Sequence, residues 1–162
     1  MRAIRHDEAA GLAAAAQVSV RLRHHLPLHD EADAVRRVLI GLDPGTYIRP
    51  HAHQRTGSWR GTETLVVLQG AIGVIEFSPS ARMSAAVRLG AGGLVEVPDG
   101  CGHTVVCLEE GTVVLEVKEG RAPDPDRQWL PGFPPEGDPE CREAVHSWEL
   151  AVRLGEGRRT SG

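Results

Sequence analysis

The chain has 162 residues, 41% hydrophobic and 25% charged, with a formal net charge of −4. It is long enough for one domain with its own core and too short for two ordinary ones. Its acidic balance offers no broad cationic surface to phosphates, so nucleic acid is not an expected partner. No apolar run reaches the roughly 18 residues that a membrane helix needs, and the N-terminus lacks the basic start and clean apolar core of a signal peptide. Cys101, Cys107 and Cys141 form no CxxC pair, which points to reduced thiols and a cytoplasmic location.

Residues 1–20 read as a short helical segment, with Asp7 as its cap and an Ala-rich body. Strands are expected over 21–25 and 35–41. From Asp43 onward the chain becomes a series of short β-prone runs separated by Gly- and Pro-rich turns. ETLVVLQ, AIGVIEF, MSAAVRL, LVEV, HTVVCL and TVVLEVKE each read as a strand, spaced roughly ten residues apart, which argues for an all-β barrel or sandwich. Inward positions are expected at Leu65 and Val67, at Val95 and Val97, and at Val114 and Glu116. Residues 121–155 read as a Pro-rich arm followed by a helix that starts after Asp138, with Val145, Trp148, Leu150 and Val152 as its apolar face. Residues 156–162 read as a flexible tail. The body of the domain is thus expected over 21–120.

The segment that carries chemistry is GTYIRPHAHQRTGSWRGTETLVVLQG. Residues two apart on a strand share a face, so His51 and His53 project together, with Tyr47 and Arg49 in the same phase. Two imidazoles on one strand face suit a divalent cation. Glu63 at the start of the next strand and His103 at the start of a later one complete a nitrogen and oxygen donor set. Such a set fits Zn, Fe, Ni, Mn or Co and leaves coordination positions open.

These spacings resemble the cupin superfamily. Gly45, His51, His53, Glu63 and Gly70 match its first motif, although nine residues separate His53 from Glu63 where three or four are usual. Gly92, Pro98, Gly100 and His103 match its second motif, with Cys107 replacing a final Asn. Within the superfamily the chain looks most like the WbuC family of cupin-fold metalloproteins, through RPHAH at 49–53, EVKEGRAP at 116–123 and the Trp- and Pro-containing WLPGFPPEGDPE. The resemblance implies a cupin-type double-stranded β-helix (jelly-roll) barrel with short helical segments at both ends, and one divalent metal on His51, His53, Glu63 and His103.

Around that metal, Arg49 is expected to hold an anionic group of a small-molecule ligand. Lys118 (the only lysine in the chain), Glu116 and Tyr47 are expected to move protons. His24, His25 and His29 read as solvated, and Cys107 as a small buried hydrophobe. The expected function is a metal-dependent enzyme acting on a small polar or anionic metabolite such as a sugar derivative. The alternatives are a non-catalytic binding or sensor domain, a metal-dependent dioxygenase, and a metal that is only structural. A homodimer is expected, because small β domains leave sheet edges that need covering.

Overall fold

A computed structural model describes residues 3–54, 62–120 and 127–155. The elements run α1 (His6–Gln17), β1 (Arg23–Pro27), β2 (Val35–Leu42), β3 (His51–His53), β4 (Glu63–Gln69), β5 (Ala71–Phe77), β6 (Met83–Gly90), β7 (Leu94–Val97), β8 (Gly102–Cys107), β9 (Thr112–Glu119), β10 (Arg127–Trp129) and α2 (Cys141–Gly155). The strands form two five-stranded antiparallel sheets, in the orders β1-β2-β9-β4-β7 and β10-β3-β8-β5-β6.

The expected barrel is not formed. Closure needs an unbroken ladder from the first strand to the last, and here neither sheet closes on itself. β1 ends the first sheet and β10 ends the second. The opening between those edges is lined by Arg21, Arg23, His25, Arg127 and Glu136. Charged side chains of this kind hold strand edges apart instead of letting them pair. The architecture is therefore an open two-sheet antiparallel sandwich.

Strand alternation splits the hydrophobic residues into layers. Val38, Ile40 and Leu42 of β2, Leu65 and Val67 of β4, Ile72 and Val74 of β5, Val105 and Cys107 of β8, and Val114 of β9 meet between the sheets, with Val95 packed against them. The intervening residues face outward and are covered by a helix on each side. Leu39 and Val113 pack against Leu12 and Ala13 of α1. Ile75, Phe77, Val106 and Leu108 pack against Val145, Trp148 and Val152 of α2. Strands buried on both faces read as continuous apolar runs rather than alternating ones, which is why AIGVIEF and GHTVVC are almost wholly buried.

Three local expectations change. The N-cap of α1 is Arg5, whose N–H donates to Glu8 Oε2 at 3.0 Å, and Asp7 lies within the first turn. The apolar face of α2 is Cys141, Val145, Trp148 and Val152, at helical spacing, while Leu150 is exposed. β1 runs to Pro27 and carries His25 to the cavity opening. The tail expected at 156–162 lies outside the described residues.

Candidate metal centre and cavity

His51 and His53 occupy the short strand β3, held between β8 and β10. Their two-residue spacing sends both imidazoles into the space between the sheets. His103 stands directly opposite His51 in the ladder. The two turns that deliver these histidines are tied together, since Gly100 N–H donates to His53 O at 2.7 Å. Gly100 has φ +76°, a left-handed conformation that glycine adopts without strain. Glu63 comes from the other sheet, at the head of β4. The nine residues before it do not displace it.

The donor atoms of His51, His53, Glu63 and His103 all lie within 4.8 Å of one another, and all four residues are buried. Ligands held about 2 Å from a common ion stand about 3–4 Å apart, so small side-chain rotations bring these atoms to bonding distance. His53 Nε2 lies 2.7 Å and His103 Nε2 3.6 Å from Glu63 Oε2.

The hydrogen bonds around the cluster favour the ligating forms. His51 Nδ1 lies 2.9 Å from Arg49 O, and His103 Nδ1 lies 3.1 Å from Cys101 O. An Nδ1–H donated to a carbonyl leaves Nε2 as the lone-pair nitrogen, which is the usual arrangement behind a metal-bound histidine. Burial holds His51 well below its ordinary pKa, helped by His103 and Arg127 and opposed by Glu63. Glu63 is also held well below the carboxylate range. Burial alone would raise it, but the close approach of His103 and His53 and the charge of Lys118 outweigh that. A neutral His51 and an ionised Glu63 suit a divalent cation, and the four donor atoms are grouped closely enough to hold one.

A cavity of about 380 Å³ opens beside this cluster, between the edges β1 and β10. His51, Glu63 and His103 line it, together with Glu116, aliphatic residues of both sheets, and Trp129. The Trp129 ring lies edge-on to His51, with centroids 5.7 Å apart.

The other residues singled out in the sequence separate into two groups. Glu116 lines the cavity, and Lys118 Nζ lies 3.2 Å from its Oε1, with the lysine almost fully buried. Burial raises the Glu116 carboxyl, and the neighbouring charge of Glu63 raises it further, against the pull of Lys118. Tyr47 and Arg49 are placed elsewhere. Tyr47 stacks on Trp148 in the α2 layer, and its hydroxyl donates to Pro134 O at 2.8 Å. Arg49 lies over the Trp129 ring, 5.5 Å from its centroid, and does not line the cavity. β3 begins only at His51, so strand parity does not carry back to either residue.

Sequence reasoning missed Arg36, Arg127, His25 and His29, all of which line the cavity. The first of these had a readable signal: Arg36 is in phase with Val38 and Ile40, so a regular strand turns it inward.

No curated protein sequence matches the chain. Among solved structures, it is similar to an uncharacterized conserved protein with a double-stranded β-helix domain from Klebsiella pneumoniae. That match has 17% identity and a TM-score of 0.57, covering 80% of this chain and 97% of that one. It is also similar to the DMSP lyase DddQ from Ruegeria pomeroyi, with 19% identity and a TM-score of 0.52 over 72% of this chain and 54% of that one. The cupin domain of Schizosaccharomyces pombe Cnp3 matches at 18% identity and a TM-score of 0.45, over 61% of this chain and 64% of that one. The chain thus spans about half to two thirds of the length of the last two. At these identities the likeness is one of fold, that of a double-stranded β-helix domain. A family model described as a domain of unknown function, DUF6016, matches residues 4–89, a little over half of the chain, and the protein therefore belongs to that family.

Proposed function

We propose that the protein is a metal-dependent enzyme that acts on a small anionic metabolite, with one divalent cation held by His51, His53, Glu63 and His103. The observation that carries this reading is the buried three-histidine, one-carboxylate cluster exposed along one side to a cavity. A metal that only stapled the fold would be enclosed by its ligands, whereas a working site keeps an open side. The resemblance of RPHAH and EVKEGRAP to the WbuC family of cupin-fold metalloproteins supports the same assignment.

When bound, the cation supplies Lewis acidity toward a ligand oxygen. The remaining work belongs to the chain. Glu116 stands at the cavity wall with its pKa raised by burial and by Glu63, which favours its carrying a proton to or from a ligand. Lys118 is a positioning residue, because it holds Glu116 through their 3.2 Å contact and favours the ionised form of Glu63. Aliphatic residues of β2 and β9 restrict water on the side away from the histidines. Tyr47 and Arg49 have no part in this mechanism.

The homodimer is carried as part of the proposal. β7 ends the first sheet with Leu94 exposed, and Leu68 of the neighbouring β4 is exposed as well, so the edge is suited to a second copy. Among the described residues, no helix is long and apolar enough to cross a membrane.

The test is turnover. Metal-loaded protein is incubated with a panel of small organic acids and sugar acids, with and without oxygen, and followed by mass spectrometry. Conversion that is lost in both His51→Ala and Glu116→Gln is the expected result. Ligand binding without conversion across all the metals tried would refute the enzymatic reading.

A further inference from the structure

Trp129 is a large ring that the hydrophobic core does not use. Among the described residues it belongs to none of the three apolar clusters, and it is 46% exposed. Tyr47, Phe77, Phe133 and Trp148, by contrast, pack together under α2. A half-exposed indole forgoes much of the stabilisation that burying a large ring supplies. What the ring touches accounts for its position better than core packing does.

β10 is three residues long and lies antiparallel on β3, with Trp129 opposite His51. The two rings are 5.7 Å apart and inclined at 68°, a favourable edge-to-face arrangement. The guanidinium of Arg49 lies over the same indole, 5.5 Å from its centroid. Arg49 is also the residue whose carbonyl oxygen stands 2.9 Å from His51 Nδ1. A closed circuit of contacts results: His51 to the Arg49 carbonyl, the Arg49 side chain to the Trp129 ring, and Trp129 back to His51. Leu130 fastens the strap that carries it. Its N–H donates to Pro50 O at 3.0 Å. Its side chain rests on the backbone beside His103, since a methyl at Gly102 would stand 2.8 Å from Leu130 Cδ2.

His51 needs this support more than His103 does. β8 is paired on both sides over much of its length, whereas β3 shares a single register pair with β8 and three with β10. A metal ligand works only when its ring is held within roughly 10–20° of the productive orientation. We infer that Trp129 is a positioning residue of the metal centre, which together with Arg49 clamps the His51 imidazole in the orientation and tautomer that present Nε2 as the donor. The inference rests on the metal site of the proposed function. It leaves Arg49 outside the proton chemistry and gives it a part in holding Trp129 instead.

The test compares the full-length wild type with Trp129→Ala, Trp129→Leu and Trp129→Phe. Leucine keeps an apolar side chain on β10 without a ring, and phenylalanine keeps the ring. Zn²⁺ affinity is measured by competition with a chromogenic chelator, and the absorption spectrum of bound Co²⁺ reports the ligand geometry. Alanine and leucine are expected to weaken Zn²⁺ binding by about 10–100-fold and to alter the Co²⁺ spectrum, and phenylalanine to restore most of both. Melts of the metal-free proteins should differ little, and the leucine variant decides the matter should the alanine variant not fold. A metal-free measurement reads the clamp itself: imidazole ¹⁵N–¹H NMR should show His51 as the Nδ1–H tautomer in the wild type and in Trp129→Phe, and as a mixture in the other two. Unchanged Zn²⁺ affinity and Co²⁺ spectrum without the ring, a phenylalanine variant as weak as alanine, or affinity that falls only in step with the melting temperature would each overturn the inference. The two claims fail differently. Metal bound equally by all of these proteins sinks the clamp and leaves the metal site standing, while a wild type that holds the single tautomer yet binds neither metal sinks the metal site, and the positioning role with it.

Discussion

The two apolar layers flanking the second sheet are built from different residues. The outer layer, under α2, is aromatic. Tyr47, Phe77, Phe133 and Trp148 meet there, with ring centroids 5.0–5.9 Å apart. The inner layer, between the sheets, is made of Val, Ile and Leu, with Cys107 and no aromatic ring among its buried members. The protein has six Phe, Trp and Tyr residues in all, and four of them sit outside the sandwich. Large rings fill space and fix the position of α2, whereas short branched side chains leave room beside the histidines. The difference separates a region built for stability from one built to receive a ligand.

The sharpest way to break this contrast is Trp148→Ala. Removing a buried tryptophan costs about 3–5 kcal/mol, a large share of a total that is usually about 5–15 kcal/mol. A denaturant melt should show that loss, with metal content unchanged in the fraction that remains folded. Gly73→Ala should come next. A methyl at Gly73 would stand 2.6 Å from Val152 Cγ2 and 2.8 Å from Val106 Cγ2, so the outer layer is overpacked at a cost of about 1–3 kcal/mol. A fall in Tm without a change in ligand binding is the expected result.

Tyr47→Phe should cost about 1 kcal/mol through loss of the hydrogen bond to Pro134. It also has a signature in pH. Burial, with the neighbouring Cys141, pushes the Tyr47 hydroxyl from 10.0 up to about 12. The folded state therefore keeps its proton when the unfolded state has lost it. The contribution is complete below pH 10 and declines as pH rises from there toward 12. Because the chain has a single tyrosine, tyrosinate absorbance reports this titration directly, and an ordinary titration near 10 would show that the ring is not held as described.

The smallest effect on stability is expected inside the sandwich. Val38→Phe projects into the cavity, where there is space for a ring, and should change stability by less than about 1 kcal/mol while blocking the ligand. A large destabilisation at this position would contradict the division between a filled layer and an open one.

The same division explains what could be read from the sequence. Strand runs from Val35 to Glu119 are legible because Gly and Pro punctuate them and turn chemistry is local. His51, His53, Glu63 and His103 could be grouped because strand parity and motif spacing are local as well. Barrel closure was not legible, since it depends on whether β1 and β10 pair across a gap, and the charged residues there look like ordinary surface. Strand parity does not reach Tyr47 and Arg49, because the segment before His51 is not part of a strand. Arg36 shares the phase of Val38 and Ile40, but which face of β2 borders the cavity is set by how the two sheets pack, and that is not local to the strand.

The central claim is that His51, His53, Glu63 and His103 bind one divalent cation. The most direct measurement is metal content per chain in the wild type and in His51→Ala and His103→Ala, each purified alike and loaded with the same Zn²⁺, Fe²⁺, Ni²⁺, Mn²⁺ or Co²⁺ solution. About one equivalent of at least one of these metals in the wild type, and a small fraction of that in either variant, is the result this account predicts. Equal metal content in all three proteins, or none in the wild type with any metal, would contradict it.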